Sequence, residues 1–240
     1  ISDSSDSDRE RRAKVNTRVD NNGYWKRMAK EGLAVLNPDV EVPQAVYTGS
    51  KISSRMVRFE DSPDVPVTNE SSTQSENSIF VDPKNNMVAL NSNNSTPANG
   101  GSVYGADYLY TMDIGDTWDG SIQGPNGSNS GDPASCIGTD GRWYIGYIGS
   151  GSGQDVSYSD DQGASWTGVQ VAPKPGGGWG DLADKNHMWI DAKIGSPYEN
   201  YLYDAWTDFG GSADNQVVVK RSNDNGETWG NKIILSRFYF

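Results

Sequence analysis

The sequence predicts an all-β fold of repeated antiparallel four-stranded units, the blades of a β-propeller. Three observations predict it. Short alternating apolar runs separated by turn residues fill the chain from about residue 75 onward. A turn frame ending in Trp recurs three times in register. A second, strand-like repeat recurs at spacings close to the ~40–50-residue period expected of propeller blades.

The first element is helical. Glu10, Arg11, Arg12, Ala13 and Lys14 are good helix formers, and residues 8–34 read as helix interrupted at Asn21, Asn22 and Gly23. From Tyr24 to Leu33 the pattern resumes with Trp25, Met28 and Ala29 on one face, and Asn37-Pro38 closes it. From Val42 to Thr68, scattered prolines and alternating apolar residues suit an extended segment lying on a larger body. Residues 1–74 are therefore read as a helical and extended N-terminal segment, a pro-segment remnant or linker rather than an independent domain. Residues 75–240 form the β body. Its runs are Ser78–Val81, Met87–Leu90, Trp143–Ile148, Tyr201–Tyr203, Val217–Val219 and Ile233–Leu235. Asn85-Asn86, Thr139-Asp140-Gly141 and Asp224-Asn225-Gly226 mark hairpins between them.

The turn frame reads hydroxyl-x-Asp-x-Gly-x-x-Trp. It comprises Thr111, Asp113, Gly115 and Trp118, then Ser159, Asp161, Gly163 and Trp166, then Ser222, Asp224, Gly226 and Trp229. Each residue has a mechanical reason to be there. The carboxylate accepts backbone N–H bonds across a tight turn, and the hydroxyl bonds the backbone nearby. Gly supplies a positive φ, and Trp folds back over the hairpin. The strand-like repeat opens at Glu76, Asp132 and Asp184.

This frame is the Asp-box, and the sequence resembles the Asp-box (BNR-repeat) β-propellers of the sialidase-like group, in particular secreted proteins of Bacteroidota. The resemblance covers about residues 75–236. It implies blades whose Asp-boxes lie on the rim opposite the active face. Residues 76–240 hold about three blades at this period, whereas closed propellers have ~4–8. The chain is therefore expected to be part of a longer propeller or to close against another chain, because an open arc leaves raw strand edges.

Composition narrows the function. Hydrophobic residues make up 34%, below the usual ~45–50%, yet 8 Trp and 12 Tyr argue for a folded core built from large rings. Net charge is −12 and unevenly spread, with 9 Lys/Arg against 23 Asp/Glu in residues 61–240. A body that acidic repels phosphate backbones, which argues against nucleic acid as a partner. The sequence has no apolar run of the ~18 residues that reads as a membrane-spanning helix. A single cysteine, Cys136, excludes a disulfide framework and reads as buried and inert; a single histidine, His187, excludes a multi-histidine metal site and reads as packed. The polar opening from Ile1 to Asp8 reads as a chain already processed, its export signal upstream.

Sialidases hold the substrate carboxylate with three arginines, the first in an Arg-Ile-Pro motif, and use a Tyr–Glu nucleophile pair with an acidic Asp. Arg-Ile-Pro is absent, and only Arg142, Arg221 and Arg237 follow residue 75. No catalytic residue carries over, and the chain alone is expected to lack sialidase activity. The Asp-box carboxylates read as structural, each consumed by its own turn. Glu76, Asp132 and Asp184 are the catalytic candidates, since clustered carboxylates can bind Ca²⁺ or act as glycosidase acid and base; the alternative is that each satisfies loop N–H groups. Ca²⁺ is the one ion this pattern suits, and no cofactor is otherwise called for. Trp179, in a glycine-rich loop from Pro175 to Gly180, is the ligand-binding candidate, able to stack on a sugar or to tuck under its own loop. Asn-x-Ser/Thr triplets at Asn69, Asn93, Asn94 and Asn126 imply exposed loops.

Two functions follow. The first is a secreted or cell-surface propeller module that binds a glycan or protein. The second is a sialidase-like glycoside hydrolase whose site is completed by blades outside this chain. The resemblance also implies a secretion or surface complex, or the remainder of the propeller, as a physical partner.

Overall fold

A computed structural model describes residues 22–35, 65–68, 73–96, 105–127 and 129–236. The helix expected over residues 8–21 and the extended stretch over 42–64 lie outside the described residues, as do Asn69 and Arg237. What is described after Thr73 is β-structure apart from one 3₁₀ turn, Gly211–Ala213.

Three four-stranded antiparallel meanders follow one another along the chain. Blade 1 is β1 (Thr73–Val81), β2 (Ala89–Thr96), the pair β3 (Gly105–Ala106) and β4 (Tyr108–Thr111), and β5 (Asp119–Ser121). Blade 2 is β6 (Ala134–Ile137), β7 (Trp143–Ile148), β8 (Gln154–Ser159) and β9 (Thr167–Ala172). Blade 3 is β10 (Leu182–Ile190), β11 (Leu202–Phe209), β12 (Gln216–Ser222) and β13 (Ile233–Ile234). β3 and β4 are one strand broken at Asp107. Its buried carboxylate accepts the Asn93 N–H at 2.5 Å and the Ser95 hydroxyl at 2.8 Å, drawing the residue out of the ladder. This is the β-propeller arrangement expected, present as a three-blade arc.

The first strand of each blade is the innermost, and β6 packs against both β1 and β10. Ser135 N donates to the Ser78 hydroxyl at 3.0 Å across the first seam, and the Cys136 thiol reaches Met188 O across the second. Burial on both sides of blade 2 explains why β7 reads as a continuous apolar run: Trp143, Tyr144, Ile145 and Ile148 are all at 1% exposure or less. Trp143 and Ile145 join Leu90 and Ile137 between blades 1 and 2, while Tyr144 and Cys136 join Met188, Ile190 and Trp206 between blades 2 and 3. Burial pushes the Cys136 thiol well above its usual range, so it is inert as expected.

The three repeated turns are atom-for-atom alike and join the third and fourth strands of their blades. In each, the hydroxyl donates to one carboxylate oxygen (2.7 Å at Thr111, 2.8 Å at Ser159 and Ser222) and accepts the glycine N–H (2.8 Å at Gly115 and Gly163, 2.9 Å at Gly226). That oxygen also accepts the N–H of Thr117, Ser165 or Thr228, whose hydroxyl bonds the other oxygen. Hydrogen bonds from Thr117 hold the Asp113 carboxyl down at about pKa 2. The residue before each glycine is left-handed as well: Ile114, Gln162 and Asn225 have φ of 64°, 58° and 57°. Trp166 reaches beyond its own hairpin and packs on Tyr108 of blade 1, ring centroids 5.0 Å apart.

Helix α1 (Asn22–Lys30) begins where an interruption was expected, with Asn22 and Gly23 inside its first turn. It ends in a Schellman motif: Leu33 N donates to Met28 O at 2.8 Å and Gly32 N to Ala29 O at 3.0 Å, with Gly32 at φ 71°. Met28, 3% exposed, is buried against Ile148 of β7 and Leu182 of β10, with Trp25, Leu33 and Phe209 around it. The helix thus docks where inner strand β10 starts and β7 ends.

Candidate functional site

Antiparallel order places two sets of loops at opposite ends of the arc. The repeated Asp turns share one end with the hairpins that join first and second strands. The other end carries the starts of β1, β6 and β10, and with them the acidic candidates.

At that end three residues occupy equivalent left-handed positions: Glu76, Asp132 and Lys185, with φ of 55°, 56° and 59°. In β1 and β10 the position falls in a bulge, where the register shifts between Ser75 and Ser78 and between Asp184 and His187. The bulge turns these side chains toward one another across the blades. Glu76 donates, when protonated, to the Asp132 carboxylate, and Lys185 lies close enough to act on its charge. Asn94 Nδ2 donates to Glu76 Oε2 at 2.9 Å and to Asp132 Oδ1 at 3.4 Å, tying the pair to blade 1.

The Glu76 carboxyl is raised to about pKa 7. Burial is the largest cause, followed by the hydrogen bond and charge of Asp132. Lys185 and Asn94 pull it back only partly. The close packing of the cluster depends on Gly131 (φ 88°), where a Cβ would lie 2.1 Å from Asn94 Oδ1.

Two of the three expected acids, Glu76 and Asp132, therefore meet at Asn94. Asp184 stands one residue before the equivalent left-handed position, which Lys185 holds, and is 4% exposed in β10. The expected equivalence fails because Asp184, Lys185 and Asn186 bring an acid within one residue of the correct register. The sequence reading missed Lys185 and Asn94. Asn94 sits in β2 at 5% exposure and Asn93 at 7%, so neither is the exposed glycosylation loop their triplets suggested. No group of three His, Cys, Asp or Glu side chains with metal-holding geometry occurs among the described residues. The cluster comprises one carboxyl pair, an amide and, within electrostatic reach, an ammonium.

The other candidates fall elsewhere. Trp179 is 47% exposed at the same end as Glu76, in a groove beside α1. The three Asp turns lie at the opposite end and contribute nothing to the cluster. Arg142 is at that end too, bidentate to Asp160 (2.6 and 3.0 Å) and donating to Asn225 O at 3.0 Å. Arg221 stacks over Tyr201. His187, expected to be packed, is exposed on β10.

No protein-family model matches the sequence, and no curated protein matches it. Solved structures do resemble it in shape. An intramolecular trans-sialidase from Ruminococcus gnavus, in complex with oseltamivir carboxylate, gives a TM-score of 0.39 at 20% identity over 55% of this chain and 26% of that one. An exo-β-1,3-galactanase from Phanerochaete chrysosporium with β-1,3-galactotriose gives 0.46 at 15% identity over 71% of this chain and 38% of that one. An α-L-arabinanase from Penicillium chrysogenum with arabinobiose gives 0.45 at 16% identity, over 67% of this chain and 49% of that one. The chain thus spans less than half the length of each. Likeness at these scores assigns no activity.

Proposed function

We propose that this chain is part of an exported Asp-box propeller of the sialidase-like group and that it binds a neutral glycan at the Glu76–Asp132 cluster. The observation that carries this reading is the meeting of the Glu76 and Asp132 carboxyls, both held by the Asn94 amide, at the end of the arc where the inner strands begin. A neutral carboxylic acid donates, a carboxylate accepts, and Asn94 and Lys185 add an amide and an ammonium, a set matched to vicinal hydroxyls. The same set disfavours an anionic sugar. Arg142 and Arg221 are at the opposite end, so among the described residues a sialic acid carboxylate would meet two acids offset by Lys185.

A second reading, glycoside hydrolysis, is favoured by one observation: an acid that keeps its proton to about pH 7 is suited to protonating a leaving group. The geometry limits it. Retaining enzymes separate their two carboxyls by about 5–5.5 Å and inverting enzymes by about 6.5–9.5 Å, whereas Glu76 and Asp132 are in hydrogen-bond contact. Asp132 then tunes Glu76 instead of serving as nucleophile or base.

The test is a glycan array probed with the wild type and with Glu76→Ala/Asp132→Ala. The reading expects neutral oligosaccharides to be retained and the double variant to lose them. Equal binding by the double variant, or binding confined to sialylated glycans, would refute it.

A further inference from the structure

The groove beside α1 is distinct from the carboxyl cluster and is built with unusual constraint. It encloses about 250 Å³ between Arg27 of α1 and Glu31 just after it, Ser150 and Ser152 of the β7–β8 hairpin, and Trp179 and Asp181 of the loop before β10. Its floor is fixed by the apolar anchor of α1, where Met28 is buried on Ile148 and Leu182.

The wall that carries Trp179 is pinned by a single carboxylate. Gly178 N donates to Asp181 Oδ2 at 2.7 Å. A Cβ at Gly176 would lie 2.2 Å from Asp181 Oδ2, one at Gly178 2.6 Å from Oδ1, and one at Gly210 2.3 Å from Cγ. A Cβ at Gly211 would lie 1.8 Å from Pro175 O. Four glycines thus let the loop close around Asp181 and onto the β11–β12 turn. A loop so clamped is preorganised, and it still leaves a Trp 47% exposed at the groove.

We propose that this groove is a saccharide subsite in which the Trp179 indole stacks on the C–H face of a neutral pyranose while Glu31, Ser150 and Ser152 meet its hydroxyls. A broad apolar ring face beside short polar side chains matches the two-faced surface of a pyranose, and the chain's acidity disfavours an anionic one. The inference rests on the glycan reading above and extends it: α1 forms one wall of the binding surface.

The experiment measures binding of soluble gluco-, galacto-, manno- and arabino-oligosaccharides to the full chain by calorimetry. It compares the wild type, Trp179→Ala, Trp179→Phe, Gly178→Ala and Glu76→Ala/Asp132→Ala, each checked for an unchanged melting profile. Trp179→Ala is expected to weaken binding about tenfold or more, Trp179→Phe to stay within about threefold, and Gly178→Ala to weaken it by displacing the loop. Wild-type affinity in Trp179→Ala with loss in the acid double variant would overturn the subsite and leave the cluster standing. Loss in Trp179→Ala with full affinity in the double variant would keep the subsite and refute the cluster. Should Trp179→Ala not fold, equal affinities of wild type and Gly178→Ala would overturn the subsite. Absence of binding by the wild type would overturn both.

Discussion

Glu76 keeps its proton to about pH 7 because a half-buried charge there faces Asp132, and Lys185 and Asn94 recover only part of the cost. Replacing Asp132 with Asn should therefore lower the Glu76 pKa, though not fully to 4.5, since burial remains; replacing Lys185 with Ala should raise it. Carbon-detected NMR titration of the glutamate carboxyls reads both shifts. Stability follows from the same group. Between pH 4.5 and about 7 the folded chain binds a proton that the unfolded chain has lost, so stability falls as pH rises through that window. Asp107, raised to about 6 chiefly by burial, acts with the same sign from 3.8 upward. Asp113, held at about 2, acts oppositely: its contribution is present above 3.8 and fades as pH falls toward 2. Calorimetry should show a melting temperature that declines from about pH 5 to pH 8, with part of the decline removed in Glu76→Gln. A flat profile in the wild type would contradict the assignment.

Within the blades, the repeated Asp turns show how far local chemistry reaches. The hydroxyl, Asp and Gly were legible because each has one job in a tight turn, and all three sites use them identically. The left-handed residue before the glycine was not, because Ile114 is β-branched and resists φ 64°; the turn's own hydrogen bonds impose it. Gly163 (φ 88°) faces Trp143 and Tyr108 at 3.4 Å from a would-be Cβ. Gly163→Ala should cost about 1–2 kcal/mol in urea denaturation, from left-handed strain plus crowding. Trp143→Ala, at 1% exposure between blades 1 and 2, should cost about 3–5 kcal/mol. The inner strands were less legible than the turns. Their bulges displace side chains by one position, so the sequence reading found Glu76 and Asp132 but took Asp184 for Lys185. Asn94 was hidden because a strand reading Ala-Leu-Asn-Ser-Asn-Asn-Ser-Thr lacks the apolar alternation that marks burial.

Across the whole molecule, the arc leaves one outer face without a neighbour among the described residues. Phe80, Cys136 and Trp189 are equivalent in their inner strands; Cys136 is fully buried, whereas Trp189 is 61% exposed and meets Phe80 of β1 only edge-on, ring centroids 5.5 Å apart. Tyr144 is fully buried, and its counterpart Tyr203 is only half-buried. Ile233 adds 59% exposure on the last strand. Ile233→Ser/Ile234→Ser, 59% and 40% exposed on the last strand, should cost less than about 1 kcal/mol and should lower self-association by light scattering, since exposed sheet faces and edges recruit other chains. The convergence of acids from blades 1 and 2 belongs to this scale, because it depends on the packing of β1 on β6, which no local pattern encodes. The central claim is that the Glu76–Asp132 pair binds glycan. Calorimetric titration of the strongest neutral array ligand at pH 6 and pH 8 tests it most directly. Ionisation of Glu76 sets two carboxylates against each other, with Lys185 and Asn94 facing them. Binding should therefore weaken from pH 6 to pH 8 in the wild type and stay level in Glu76→Gln, which keeps a neutral donor. The same pH dependence in both proteins, or none in either, would contradict the account.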